Sequence, residues 1–344
     1  MLRLSVLDQS TVVTGRSPDT SIRESLALAK HCEALGYDRY WCAEHHASES
    51  QAGTAPEILI SAIAATTTRI RVGTAGIMLP HYSSLKVAEQ FRVLEAIAPG
   101  RIDLGLGRAP GSDGRTAFAL NPLAESAAEH FPAQVRDLLA WIAGEKLMEG
   151  HPFRDVKCQP GGPTQPEVWI LGSSDYGPQV AAYFGLPFCF AHFITDGRGV
   201  EQAMAIYREG YRPSERHPVP HAAICVWAMA AETPAEAARL FSSREVSRLA
   251  RDRGIYAALP SPEEAALYPH SGAELQRLDR LRARGIYGTP DVVAGKLREL
   301  AAAYDVEEIA ILTTLHDPQA RRRSYTLLAK EFGLAGSELP LAAH

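Results

Sequence analysis

The chain is poor in cysteine, with five in 344 residues (Cys32, Cys42, Cys158, Cys189 and Cys225) and no Cys-x-x-Cys pair. An odd, scattered set gives neither a disulfide framework nor zinc-ligand spacing. Each thiol is expected to be a small buried apolar residue in a reducing cytoplasm. Basic charge is also scarce, 35 Lys and Arg against 40 Asp and Glu, for a net charge of −5. Phosphate backbones and anionic membranes are held by clustered cations, so neither nucleic acid nor a membrane surface is an expected partner. No apolar run approaches the roughly 18 residues of a membrane span. Met1–Ser5 runs into a strand-like stretch without the regions of a signal peptide. Missing too are the glycine-rich loops Gly-x-Gly-x-x-Gly and Gly-x-x-x-x-Gly-Lys-Ser/Thr.

What is there is a globular composition, 46% hydrophobic and 22% charged, with length enough for one large α/β barrel. Strand-like runs at Leu2–Leu7, Tyr37–Ala43, Ile70–Ala75, Arg101–Leu106, Val168–Leu171, Phe188–Ala191, Ala222–Ala230 and Glu308–Thr313 alternate with helical periodicity. Ser21-Ile22-Arg23-Glu24 has the form of a capping box, and Gly36 ends the helix behind it. Further helices are expected at Pro56–Thr67, Leu85–Ala98, Ala124–Ala143, Gln179–Phe184, Gly199–Glu209 and Pro318–Phe332. Alternation implies parallel strands with right-handed crossovers, and eight such units close into a (β/α)8 TIM barrel, here a single domain. In the fourth strand Ile102, Leu104 and Leu106 would face the outer helices. Asp103, Gly105 and Gly107 would face inward and leave room near the top of the barrel.

Two segments break the rhythm. Glu145–Pro166, after the fourth helix, is rich in Pro and Gly and reads as a surface excursion. Arg251–Thr289, between the seventh and eighth strands, is long and lies at the catalytic end, where it is a candidate lid; a helical decoration of the exterior is the alternative.

Barrel enzymes work where their strands end. Gly172-Ser173-Ser174, directly before a helix, suits an anion, and Arg108 at a neighbouring strand end could grip the same phosphate. Glu44-His45-His46 follows the second strand. Adjacent strand residues point to opposite sides, so one metal bound by both histidines is disfavoured, whereas a single imidazole at the barrel mouth suffices for acid–base work. A pair satisfied by backbone carbonyls is the structural alternative. His316-Asp317-Pro318 reads as a helix start.

Taken in order, Ala43-Glu44-His45-His46, Val72-Gly73-Thr74-Ala75-Gly76-Ile77-Met78-Leu79-Pro80, Gly100-Arg101-Ile102-Asp103-Leu104-Gly105-Leu106-Gly107-Arg108 and Leu171-Gly172-Ser173-Ser174 resemble the bacterial luciferase-like flavin monooxygenases. Gly185-Leu186-Pro187-Phe188, Gly288-Thr289-Pro290 and Leu315-His316-Asp317-Pro318 extend the likeness to an alkanal-monooxygenase-like subgroup. The resemblance covers nearly the whole chain. It implies FMN at the strand ends, reduced by a separate NAD(P)H:flavin reductase, reacting with O2 through a C4a-(hydro)peroxide to oxygenate an aldehyde, ketone or aromatic substrate. His45 matches the family's proton-moving histidine. Arg108 and Ser174 match phosphate contacts, with Ser173 and the amides of Asp175, Tyr176 and Gly177 beside them. Thr74-Ala75-Gly76 matches the stretch against the isoalloxazine, with a non-prolyl cis peptide expected at Ala75–Gly76. His192 stands where some luciferases carry a tryptophan near the ring, and Gly107 where they can carry a cysteine, which weakens any expectation of light emission. Homodimers are the family's habit, and no metal is implied.

Three rivals remain. One is an F420-dependent hydride-transfer enzyme of the same superfamily, for whose acidic tail Arg115 and Arg198 would supply charge. The others are a flavin-binding protein without turnover and a metal-dependent barrel hydrolase.

Overall fold

The computed structural model describes residues 2–336. Nine strands form, β1 (Arg3–Asp8), β2 (Arg39–Cys42), β3 (Arg71–Met78), β4 (Ile102–Gly107), β5 (Glu167–Gly172), β6 (Phe188–Phe190), β7 (Ala222–Ala230), β8 (Ile286–Gly288) and β9 (Glu308–Leu312). All pair in parallel, in the order β6-β5-β4-β3-β2-β1-β9-β7, and β6 closes on β7. This is the closed eight-stranded (β/α)8 barrel that alternation implies. Its eight strands are those read from the sequence. The ninth, β8, lies outside the barrel, pairs only with the upper part of β7 (Ala228–Ala230), and falls within the segment read as an insertion.

The helices are α1 (Pro18–Leu35), α2 (Pro56–Thr66), α3 (Ser84–Ile97), α4 (Gly114–Leu120), α5 (Ala124–Glu129), α6 (Phe131–Ala143) and α7 (Tyr176–Phe184). After them come α8 (His192–Thr195), α9 (Val200–Glu209), α10 (Pro234–Asp252), α11 (Pro262–Ala266), α12 (Gly272–Arg284), α13 (Pro290–Tyr304) and α14 (Pro318–Phe332). Two local expectations are corrected. Ser21 does not cap: the helix starts a turn earlier at Pro18 behind Ser17, and the Ser21 hydroxyl donates to the Thr11 carbonyl instead. Pro at the first helical position needs no intrahelical partner, which favours that earlier start. The single helix expected over Ala124–Ala143 is two, because Pro132 cannot continue a helix through the preceding turn. Asp317 does cap α14, accepting from the amides of Gln319 and Ala320.

The parity read in β4 holds. Ile102, Leu104 and Leu106 join the core between barrel and helices, while Trp41, Trp169 and Leu7 fill the inside. Asp103, however, makes no open space near the top. It sits at the barrel floor, where Arg39, Trp41 and Arg71 all donate to its carboxylate. Arg39 also donates to Glu167 and Glu308, which open β5 and β9. The floor is therefore an ion cluster, the middle is aromatic, and the open volume lies above both. The glycines serve a close approach of β3 and β4: a Cβ on Gly73 would stand 2.4 Å from the Asp103 carbonyl oxygen, and one on Gly105 would stand 2.1 Å from that of Thr74. All five cysteines are buried free thiols. Among the described residues no helix is long and apolar enough to cross a membrane.

Candidate functional site

A cavity of about 410 Å³ opens at the C-terminal ends of the strands. Size and place suit a cofactor ring with a small substrate beside it. Nine of the residues expected at the site line it: His45, Ala75, Gly76, Gly107, Arg108, Ser173, Ser174, Tyr176 and Gly177. Three do not. Thr74 is fully buried and donates its hydroxyl to the Gly105 carbonyl, tying β3 to β4 just below the cavity. Asp175 accepts from the amides of Gln179 and Gln202, anchoring the start of α7 from outside. His192 turns away, toward Tyr304 and a small space under α10, while its neighbours Phe193 and Ile194 face the cavity.

One wall is built for an anion. Arg108, at the end of β4, lays its guanidinium over the Tyr176 ring, 3.9 Å from the centroid, next to Ser173 and Ser174 at the start of α7. None of the three polar side chains has a hydrogen-bond partner among the described residues. Two hydroxyls, a guanidinium and the free amides of a helix N-terminus are the donor set a phosphate takes. An FMN phosphate therefore fits here.

The opposite wall carries His45. The two histidines point apart, as expected, although β2 ends at Cys42 and both lie in the loop behind it. His46 turns to Glu44, whose carboxylate also accepts from Tyr82 and from the Met78 amide and so fastens the ends of β2 and β3 together. His45 faces the cavity, its own amide bonded to the Gly53 carbonyl, and its Nδ1 is buried without a partner. Burial, helped by the nearby positive charge of Arg251, lowers its pKa to about 4. At neutral pH it is an uncharged imidazole whose ring forms part of the cavity wall. Ala75 and Gly76, joined by a cis peptide as expected, form the floor between these walls, where the register of β3 on β4 shifts.

Sequence reasoning missed several lining residues. Gln9 lines the cavity from the loop after β1, a loop that the sequence places at the mouth by the strand-end rule. Arg251 and Tyr256 come from the end of α10 and the turn behind it, inside the segment read as a candidate lid. That segment is bound to the loop after β1: Leu259 bridges Val13, and Thr14 bonds Glu264. Cys189 and Cys225 also border the cavity, but burial pushes both thiols well above the usual range, so neither is a nucleophile. Neither Arg115 nor Arg198 reaches it.

The chain is 37% identical over 327 residues to a luciferase-like monooxygenase of Escherichia coli K12, covering 95% of this chain and 96% of that one. It is 34% identical over 335 residues to the N-acetyl-S-alkylcysteine monooxygenase of Bacillus subtilis, covering 96% and 98%. The crystal structure of apo-MsnO8 superposes with a TM-score of 0.88 at 37% identity, covering 97% of this chain and 99% of that one. At lower identity the fold alone is shared. A type II Baeyer–Villiger monooxygenase from Pseudomonas putida in complex with FMN has TM-score 0.69 at 19% identity, covering 96% and 97%. An F420-dependent secondary alcohol dehydrogenase has TM-score 0.66 at 12% identity, covering 98% and 99%. With a family model for luciferase-like monooxygenases matching residues 2–306, the chain belongs to the luciferase-like monooxygenase family.

Proposed function

We propose that this protein is the oxygenating component of a two-component flavin monooxygenase, working in the cytoplasm on a small organic substrate with O2 and with reduced FMN supplied by a separate NAD(P)H:flavin reductase. The observation that carries the choice of FMN is the unpartnered set of Arg108, Ser173 and Ser174 beside the N-terminus of α7, on the wall of the main cavity. Arg108 and the two serines would hold the phosphate, and Ala75, Gly76 and Gly107 would lie along the ring. Reduced FMN supplies the two electrons that activate O2 for transfer of one oxygen atom. The chain's own part is position, a dry cavity and a proton path. His45 holds or passes the proton on the side of its ring that faces the cavity, and Arg251, Tyr256 and Ile194 line the cavity too, where Arg251–Thr289 acts as lid. In the F420 reading the acidic tail would need cations that Arg115 and Arg198 do not bring to the cavity.

Parallel titration of the apo-protein with FMN and F420 tests this. FMN is expected to bind tightly, and Arg108→Met to weaken it roughly tenfold to a hundredfold, the worth of one charge-assisted pair. Tight F420 binding with weak FMN binding would overturn the reading.

A homodimer belongs to the same proposal. Ile58 on α2 and Val93 and Ile97 on α3 are large apolar side chains left exposed along one groove. Sedimentation is expected to give a dimer, and Ile58→Asp a monomer; a wild-type monomer at micromolar concentration refutes it.

A further inference from the structure

Beyond the phosphate wall the cavity has a second basic side. Arg244, Arg248 and Arg251 recur at i, i+4 and i+7 on α10, which places them on one face of the helix. That face looks down on the rim formed by the ends of β1, β7 and β9. Arg244 lies over the inward-facing Trp227 of β7, 4.2 Å from the ring centroid. Arg248 is paired with Asp196 at 2.8 Å, and its Nε is buried without a partner. Arg251 borders the main cavity.

Asp196 is the one carboxylate paired with these three guanidinium groups among the described residues, so one negative charge meets three positive ones. A side cavity of about 30 Å³ lies beneath the three, and Gln9, Phe193 and Arg251 border both it and the main cavity. No Asp or Glu lines either space among the described residues. Burial, with Arg248 and Arg251 adding like charge, holds Arg244 well below its usual pKa, which shows how poorly the cluster is compensated by the protein alone. Half-buried cations short of counter-charge are costly to fold around, and an anion from outside would offset that cost. An FMN phosphate cannot be that anion while Arg108 holds it. Arg108, Ser173 and Ser174 stand at β4 and β5; the cluster stands at β7, β9 and β1, across the mouth.

We infer that the Arg244–Arg248–Arg251 face is the substrate's anion site, and that the substrate is a small carboxylic acid whose carboxylate is held by Arg251 and Arg244 at the junction of the two cavities. The inference rests on the flavin reading for which side of the cavity the cofactor takes. A carboxylate fits better than a phosphate monoester because the side space takes only one small polar group, and Gln9 at the junction supplies an amide donor. Arg251 also faces His45 closely enough to affect its titration. A bound carboxylate would thus be anchored beside the proton-handling group, with its chain running along the cavity.

The test uses hexanoate and its uncharged isostere hexanamide, titrated into FMN-loaded protein and read by the flavin absorption spectrum. Wild type is expected to bind hexanoate at least tenfold more tightly than hexanamide. Arg251→Met and Arg244→Met are each expected to cut that preference below threefold, Arg251→Lys to keep most of it, and all three to hold FMN within threefold of wild type. Thermal melting checks that each variant is folded, and Arg251→Met, at the end of its helix, carries the test if Arg244→Met is not. Equal affinities in wild type, or a preference that survives Arg251→Met, overturns the inference. So does an FMN affinity that falls more than tenfold in Arg251→Met, since the cluster would then serve the cofactor. Should FMN fail to bind wild type, the flavin reading fails by itself; calorimetry with the two probes on the apo-protein then decides the anion site separately.

Discussion

Replacing His45 by Ala is expected to lower turnover by roughly 10²–10⁴-fold, the range for loss of a positioned proton-transfer group, while FMN affinity stays within a few-fold. The two effects separate because His45 stands on the β2 side of the cavity and the phosphate donors on the β4 and β5 side. Its backbone amide bond to Gly53 does not involve the ring, so Ala preserves the loop. The pH profile sharpens the test. Burial and the Arg251 charge place the His45 pKa at about 4, so the imidazole is uncharged above roughly pH 5 and gains its proton as pH falls through 4. The acid limb of kcat/KM belongs near 4 in wild type and not near the value of a free imidazole. In Arg251→Met, with one lowering cause removed, that limb moves up; in His45→Ala it disappears. Unchanged turnover in His45→Ala rules the residue out as proton carrier.

How far the sequence discloses such a site depends on where each residue's signal comes from. The eight barrel strands are legible because buried parallel strands are short apolar runs separated by helical periodicity, and both patterns are local. Arg108, Ser173 and Ser174 are legible as donors after strand ends, since a barrel puts all such ends on one face. His192 obeys the same rule and still fails, because the chain enters a short helix there and the helical turn swings the ring outward while Phe193 and Ile194 turn in. Asp103 fails differently. Parity gives its face correctly but not its depth, and only the pairing of β4 with β3 and β5 shows that the second residue of the strand lies at the floor. The arginines of α10 were present in Arg244-Glu245-Val246-Ser247-Arg248-Leu249-Ala250-Arg251 at helical spacing. What spacing does not tell is that this face meets the barrel mouth and not water; that depends on Phe241 of the same helix stacking on Tyr287 of β8, a strand with only three residues.

The barrel floor carries the largest expected effect on stability. Arg39→Met is expected to destabilise the protein by about 3–5 kcal/mol, the usual consequence of removing one partner from a buried ion cluster, which is a large part of the roughly 5–15 kcal/mol that holds a domain folded. Arg39 is 3% exposed, and it donates to Asp103 and Glu308, both 0% exposed, as well as to Glu167. Burial alone would lower the Arg39 pKa, but these carboxylates raise it well above the usual value. Burial would likewise raise the carboxylates. The His221 and Ser5 contacts and the Arg39 and Arg3 charges instead lower Glu308 to about 2, and Arg39 and Arg71 lower Glu167 to about 2. Met keeps much of the volume and none of the charge, so Asp103 and Glu308 are left with Arg71, Arg3 and His221 at the rim of the cluster. The sign of the pH dependence follows. A carboxylate held low in the fold adds stability that is complete above its unfolded pKa near 4.5 and is lost as pH falls toward 2. In Arg39→Met the same carboxylates lose that advantage, so the gap between wild type and variant is widest at neutral pH and narrows on acidification below about pH 5. Urea denaturation of both proteins at pH 7 and pH 4 measures it. A gap under 1 kcal/mol at pH 7, or one that does not change with pH, would mean that the floor is held by packing around Trp41 and Trp169 and not by its charges.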